Sequence, residues 1–440
     1  MTPAARIQAA IDVLAALDET QQAADRYLRE WARARRYAGS KDRAAVHARI
    51  YDVLRHRASF GWRMGMETPR GRVIASLLAE GKSAAEIEQL FSGDGYGPPS
   101  LDDEERRALA SPPETPAPDY VRGDYPQWLE PELTRAFGAE TVAELQAMQA
   151  RAPVDLRVNT LRAERGTLLT GLAGLDIKAA PTRYSPWGIR IESAEGLSAL
   201  QHTQFFQTGA FEFQDEASQI AALLCAAKPG SRVLDLAAGG GGKSLALAAA
   251  MANTGEILAF DDKPERLRQA GPRARRAGAG IIKVADRRGG PLWGNGKFDI
   301  VLVDAPCSGS GTWRRSPELK WRLTPERLQA LIQLQTWLIE DGARHTEAGG
   351  RLVYATCSLL RSENEDVIAD FLARHADFQR VDAGEIWTGQ GFTPLPGMER
   401  YFRASPLKTG TDGFFAAVLQ RTSTQGARVG YSQANPGWPP

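Results

Sequence analysis

Apolar positions recur with helical spacing through residues 5–85, and the period then changes twice further along the chain. Ile7, Ile11, Leu14 and Leu17 form one stripe, Tyr27 and Trp31 a second, and Val46, Ile50, Val53 and Leu54 a third. Residues three or four apart share a helix face, so the stripes predict a small all-helical domain over 1–91. Gly39-Ser40-Lys41-Asp42 reads as a turn that ends in a helix cap. Residues 92–125 carry Gly-Tyr-Gly-Pro-Pro and Ser-Pro-Pro-Glu-Thr-Pro-Ala-Pro around an acidic stub, which predicts a linker. Helical spacing returns over 126–150.

From Val154 the pattern shortens to alternation. Strands are predicted at 155–159, 177–180 and 188–192, with a helix-compatible segment at 162–172 among them. With the helical lead-in, this makes a compact α+β module over 126–210. From Phe211 strands and helices alternate regularly to 421, the mark of an α/β fold with a doubly wound, mostly parallel sheet. The last strand is predicted at 413–419. The polar tail 422–440, rich in Gly and Pro, is expected to be disordered.

Composition changes this picture little. The chain has 440 residues, 43% of them hydrophobic, and no apolar run long enough for a membrane span. Its charged N-terminus lacks the succession of a signal peptide. Three cysteines without framework spacing suit a reducing cytosol, so a cytoplasmic monomer with no membrane partner is expected. The five histidines are scattered and no cysteine–histidine cluster has zinc spacing, so no metal site is predicted.

Charge changes it more. The net charge of +1 hides a polarised layout. Between Asp25 and Arg72, twelve arginines and one lysine stand against five acids; between Glu86 and Asp119, nine acids stand against two arginines. The basic stretch suits a polyanion such as RNA, and a salt-bridged helical surface is the alternative.

Two cysteines carry the candidate chemistry. Cys307 lies in Val-Asp-Ala-Pro-Cys-Ser-Gly-Ser-Gly (303–311) and Cys357 in Tyr-Ala-Thr-Cys-Ser (354–358), each just past an apolar run that reads as a buried parallel strand. Groups past the carboxyl ends of such strands face the ligand crevice. Two thiols there, one close to Asp304, read as one reaction centre. Cys225, in an apolar helical stretch, reads as core.

A cofactor site precedes them. The strand 233–236 runs into Ala237-Ala238-Gly239-Gly240-Gly241-Gly242-Lys243-Ser244 and then a helix, the geometry that lets backbone amides approach a ligand. The next strand ends in Asp261, twenty-two residues past Gly239, a distance that suits bonding to ribose hydroxyls. A third strand ends in Asp286, placed to touch a base edge. The loop has neither phosphate-loop nor dinucleotide spacing. A nucleoside without a phosphate fits best, and S-adenosylmethionine is such a molecule.

Methylating carbon 5 of a pyrimidine requires a carbon nucleophile, which a thiolate adding at carbon 6 creates. A carboxyl group near ring nitrogen 3 stabilises the developing charge, and a base must later remove the hydrogen at carbon 5. Thiolate, carboxylate and second thiol at strand ends supply these parts.

Residues 150–420 resemble the Sun-like (Fmu) RNA cytosine-5 methyltransferases, a class I family dependent on S-adenosylmethionine with a Rossmann-like fold. The resemblance rests on six stretches: Leu-Arg-Val-Asn-Thr-Leu-Arg (156–162), Phe-Gln-Asp-Glu-Ala-Ser-Gln (213–219), the glycine loop (234–244), the two cysteine motifs, and Thr-Asp-Gly-Phe-Phe (411–415). It implies that Cys357 is the nucleophile, that Cys307 assists product release, and that Asp304 holds and protonates the cytosine. Lys243 would position groups beside them. The implied cofactor pocket comprises Ala238, Gly239, Gly240, Gly241, Gly242, Lys243, Asp261, Arg266, Asp286 and Asp304. Arg157 and Asn159 would contact RNA, with strand residues facing solvent as the other reading.

The chain departs from the family at Ala237, Gly239 and Gly240, where Cys, Ala and Pro are frequent. It departs again at Thr409, where a histidine is common. The first residues look like the helical NusB-like domain of some bacterial members. That likeness implies ribosomal RNA of the small subunit as substrate; transfer RNA, or a non-catalytic role in RNA assembly, are the alternatives.

Overall fold

The computed structural model describes residues 1–192, 197–285 and 296–422. The chain divides into two compact units, one of residues 1–151 with 313–324, the other of residues 152–312 with 325 onward. The expected tail, 422–440, lies outside the described residues apart from its first position.

The first unit is helical. Helices Pro3–Glu19, Ala24–Ala34, Ser40–Arg55, Arg57–Met64 and Pro69–Ala79 turn their apolar stripes into one core that buries Leu14, Trp31, Ile50 and Val53. Short polar side chains cap the helix starts. Thr2 accepts from Ala5 N ahead of Pro3, and the Asp42 carboxylate accepts from Gly39 N at 3.0 Å.

The expected linker is instead folded. Helices Asp103–Ala110 and Asp119–Arg122 lie within it, and Leu101, Leu109 and Val121 are buried. The acidic stub is a capping box, with Asp102 and Glu105 each accepting from the other's backbone amide. Arg70 then clamps Glu105 at 2.6 Å. The prolines mark sharp turns between packed helices, a distinction that composition does not make. The helices Glu130–Phe137 and Thr141–Ala147 pack within this unit. So does helix Glu318–Arg322: Trp321 Nε1 donates to Leu54 O at 2.7 Å, and Glu318 accepts from Ala24 N.

The second unit holds two sheets. Strands β1 (Val154–Val158), β2 (Ala179–Pro181), β3 (Gly188–Ile191) and β4 (Phe211–Phe213) form an antiparallel sheet in the order β2-β3-β1-β4. Helix Arg165–Ala173 buries Leu168 and Leu172 in the same core. β4 was expected to open the parallel domain. It pairs instead with β1, Phe211 opposite Val158, because its aromatic side chain completes this smaller core.

The larger sheet is built from β5 (Arg232–Asp235), β6 (Glu256–Phe260), β7 (Ile282–Ala285), β8 (Phe298–Asp304), β9 (Thr346–Thr356), β10 (Phe378–Val381), β11 (Phe402–Ala404) and β12 (Phe414–Arg421). Its order is β10-β12-β9-β8-β5-β6-β7, with β11 added on β12. The pairs from β9 across to β7 are parallel, while β12 is antiparallel to β9, β10 and β11. The chain winds outward from β5 to β7 and then crosses to β8 on β5's other side. In an open sheet the ligand crevice lies at such a reversal, outside the carboxyl ends of the strands. Here those ends are Asp235 and Asp304.

Candidate active site

The turn after β5 forms a cavity of about 460 Å³, lined by Ala237–Gly240, Gly242, Lys243, Asp261, Arg266, Asp304 and Pro306, with Gln214 and Ser218. Two glycines are required there by conformation. Gly239 has φ 53° and nothing within 4 Å of where a Cβ would stand, so a ligand can approach its backbone. Gly241, at φ 76°, is the left-handed N-cap of helix Gly242–Ala250. Asp261 follows β6 directly. It is buried, and its carboxylate accepts from Gly239 N at 3.0 Å and Lys263 N at 2.9 Å. Each of its oxygens keeps a lone pair for a hydroxyl group. Asp286, expected at a base edge, lies outside the described residues.

Lys243 Nζ donates to Asp304 Oδ2 at 2.6 Å and stands 4.9 Å from the centre of the Phe414 ring. The ammonium is buried while the carboxylate is about one third exposed. Pro306 also lines the cavity, and Cys307 comes next. The Cys307 and Cys357 sulfurs are 3.4 Å apart, both half-buried and both free. The hydrogen bond between the sulfurs holds Cys307 well above the usual thiol range, with burial and the nearby Glu363 carboxylate acting in the same direction. Cys225 is fully buried, and burial pushes its thiol up to about 12, as expected of a core cysteine.

The register of β8 against β9 explains how sulfurs fifty residues apart meet. Asp304 lies opposite Ala355, and Ala305 N donates to Ala355 O at 2.8 Å. Both chains then leave the sheet together, and Gly311 N returns to Cys357 O at 2.9 Å. An added Cβ on Gly311 would lie 2.1 Å from Gly413 O, so the Thr-Asp-Gly stretch packs directly on this loop.

Arg157 and Asn159 meet neither expectation, the RNA contact or the solvent-facing strand residue. Both are buried. Arg157 Nη1 donates to Gly242 O at 2.7 Å and to Gln214 Oε1 at 2.8 Å, and burial pushes its guanidinium down to about 10. Asn159 Nδ2 donates to Gly209 O and Ala277 O, each at 2.8 Å. Arg157 lies on the face of β1 opposite Leu156 and Val158, Asn159 lies one residue past the strand, and both side chains meet backbone carbonyls. They brace the glycine loop and its surroundings. Arg273, which the sequence did not single out, does the same. It donates to Gly240 O at 2.7 Å while paired with Glu212.

The basic stretch is also largely engaged. Arg49 pairs with Glu80, Arg57 and Arg72 with Asp18, Arg70 with Glu105, Arg26 with Glu30 and Arg29 with Asp25. Arg72 is fully buried. Arg33, Arg36 and Lys41 remain exposed around the turn between the second and third helices.

Missed altogether were Gln214 and Ser218 in the cavity wall and Glu363 behind the cysteines. The first two lie in the quoted 213–219 stretch, where an Asp-capped helix start after a strand gives the only local signal.

Comparison with known proteins agrees with this geometry. Residues 222–420 match the family described as 16S rRNA methyltransferase RsmB/F, and residues 125–197 match the ferredoxin-like domain of RsmF/B-like methyltransferases. The chain is 32% identical over 301 residues to the probable ribosomal RNA small subunit methyltransferase B of Bacillus subtilis (strain 168). That match covers 68% of this chain and 66% of that protein, so the chain spans just under two thirds of its relative. Among solved structures, PH0851 aligns at TM-score 0.74 and 26% identity over 96% of this chain and 99% of its own. A methyltransferase homolog from Pyrococcus horikoshii aligns at TM-score 0.58 and 28% identity, over 69% of this chain and 97% of its own. The larger sheet is a class I methyltransferase fold, and the chain carries the methyltransferase and ferredoxin-like domains of the RsmB/F family.

Proposed function

We propose that this protein methylates carbon 5 of a cytosine in small-subunit ribosomal RNA, in the cytosol, through a covalent bond from Cys357 to carbon 6. The observation that carries the reading is the pair of thiols 3.4 Å apart, with Cys307 three residues past Asp304, whose carboxylate pairs with Lys243 in the wall of a cavity of about 460 Å³.

S-adenosylmethionine fits the residues present: the Asp261 carboxylate for ribose hydroxyls and the open backbone at Gly239 for close approach. Ala238, Gly240, Gly242 and Arg266 complete the wall around it. Bound there, the cofactor supplies an electrophilic methyl group. Asp304, partly exposed and tied to Lys243, is our candidate for the acid that donates a proton to nitrogen 3 of a cytosine turned out of its stack. The Cys357 sulfur adds to carbon 6 and makes carbon 5 nucleophilic. After transfer, the carbon 5 proton passes to the Cys307 sulfur as that sulfur gives up its own proton, the carbon 5–carbon 6 double bond re-forms as the sulfur–carbon 6 bond breaks, and the electron pair returns to the Cys357 sulfur. Cys307, kept protonated by its surroundings, is the adjacent donor for that leaving sulfur.

The roles separate by mutation. Cys357→Ala is expected to abolish methylation and any covalent protein–RNA species. Cys307→Ala is expected to transfer the methyl group and then stall, leaving methylated RNA bonded to protein as a slow band on a denaturing gel. The reverse pattern would exchange the two roles, and no adduct in either enzyme would remove the mechanism.

A further inference from the structure

Glu363 is fully buried, yet none of its hydrogen-bond donors among the described residues is charged. Its Oε1 accepts from Ser308 N at 2.8 Å and from Gln335 Nε2 at 2.9 Å. Its Oε2 accepts from the hydroxyls of Ser308 and Ser358, both at 2.5 Å. Ser308 follows Cys307 and Ser358 follows Cys357, so one carboxylate grips the residue after each thiol. Ser310 adds a second bridge, bonded to Ser308 Oγ at 3.2 Å and Ser358 Oγ at 3.1 Å while accepting from Leu359 N. The backbone of Glu363 is itself held, since Tyr354 donates to its carbonyl at 2.7 Å. Gln335 ties Pro306 O into the same cluster at 2.9 Å.

A buried carboxylate is unfavourable to desolvate, and an apolar side chain would fill the same space without that penalty. The register of β8 against β9 brings the two loops together, and the carboxylate adds a tie between the residues that follow the two sulfurs. We propose that Glu363 is a positioning residue that locks the Cys307 and Cys357 loops into one frame through Ser308 and Ser358. This rests on the thiols being the reacting pair, and its test is chosen to be independent of methylation.

The test is the rate at which diamide closes a Cys307–Cys357 disulfide in the intact protein. The reagent takes up two electrons and two protons and an S–S bond forms, read as the loss of two hydrogens from the protein mass. Glu363→Gln keeps the shape. Its carbonyl oxygen can still accept from the two N–H donors, while its amide donates to serine hydroxyls that rotate to accept. It should therefore close, and methylate RNA, within a few-fold of wild type. Glu363→Ala leaves buried donors unpaired and should slow closure at least about tenfold and single-turnover methylation by about a hundredfold, the scale of a misplaced reacting group. Cofactor affinity should stay within about twofold, since Glu363 is not part of the cavity wall.

If the alanine protein does not fold, Ser358→Ala removes the hydroxyl's bonds to Glu363, Ser308, Ser310 and Leu360 N while leaving the buried carboxylate in place, and should still slow closure measurably. Closure at the wild-type rate in folded Glu363→Ala or Ser358→Ala protein would overturn the proposal. Slowed closure with unimpaired methylation would uphold the role of Glu363 and count against the reading of the two thiols as the reacting pair.

Discussion

Asp235 ends β5 beneath the glycine loop with no exposed surface. One oxygen accepts from Ser244 Oγ at 2.6 Å, while Oδ1 has no partner among the described residues. Burial pushes its carboxyl up to about 7. In the unfolded chain the group titrates near about 3.9. Between the two values the folded protein holds a proton that the unfolded chain has lost, so stability from this residue is present below about 4 and falls as pH rises to about 7. Asp235→Asn keeps the shape without the ionisation. Its melting temperature, measured against wild type, should gain steadily across that window, and a constant difference would remove the burial account. Arg157 gives a second residue-scale prediction. Both bonds, to Gly242 O and Gln214 Oε1, come from Nη1, and the shorter lysine side chain ends before that position. Arg157→Lys should weaken S-adenosylmethionine binding by roughly 1–2 kcal/mol in calorimetry. RNA affinity should be unchanged, an outcome opposite to that of an RNA contact.

At the scale of elements, legibility followed the distance in sequence between partners. The glycine loop and both cysteine loops were readable because strand, turn and small residues are consecutive, and a strand end places its loop at the crevice. Glu363 was not readable. It lies six residues past Cys357, but its role depends on Ser308, fifty-five residues earlier. The same limit hid the pairing of β4 with β1 and the burial of Arg157, whose partner Gly242 is eighty-five positions away. The prolines of 98–118 misled because proline reports a turn and not whether its neighbours pack. Where conformation is local, prediction is direct. Gly241 caps helix Gly242–Ala250 with φ 76°, and a Cβ there would lie 3.1 Å from that of Ala270. Gly241→Ala should cost at least about 1–2 kcal/mol for the left-handed residue. Since this turn shapes the cavity, cofactor affinity should fall with it. A full-affinity, equally stable alanine protein would mean that the loop adopts another turn.

For the whole molecule, the proposed RNA substrate makes the layout of charge testable, because the net charge of +1 offers no general attraction to a polyanion. Any attraction must come from local clusters, and the first unit sorts its arginines into two sets. Arg49, Arg57, Arg70 and Arg72 are engaged by Glu80, Asp18 and Glu105, three carboxylates of the same unit. Arg33, Arg36 and Lys41 face solvent. A cation that meets a phosphate releases condensed counterions, which sets the slope of log affinity against log salt. Replacing Arg33, Arg36 and Lys41 together by glutamine should therefore flatten that slope by about 0.7 for each phosphate no longer neutralised, with little change in melting temperature. Arg72→Gln should do the reverse. It leaves Asp18 short of a partner and the buried glutamine poorly matched, so melting temperature falls while the slope holds. Filter binding across a salt series, run beside thermal unfolding, reads both quantities on the same proteins. An unchanged slope in the triple variant would make the turn at Arg33–Lys41 a solvated surface and leave RNA recognition to the methyltransferase and ferredoxin-like domains.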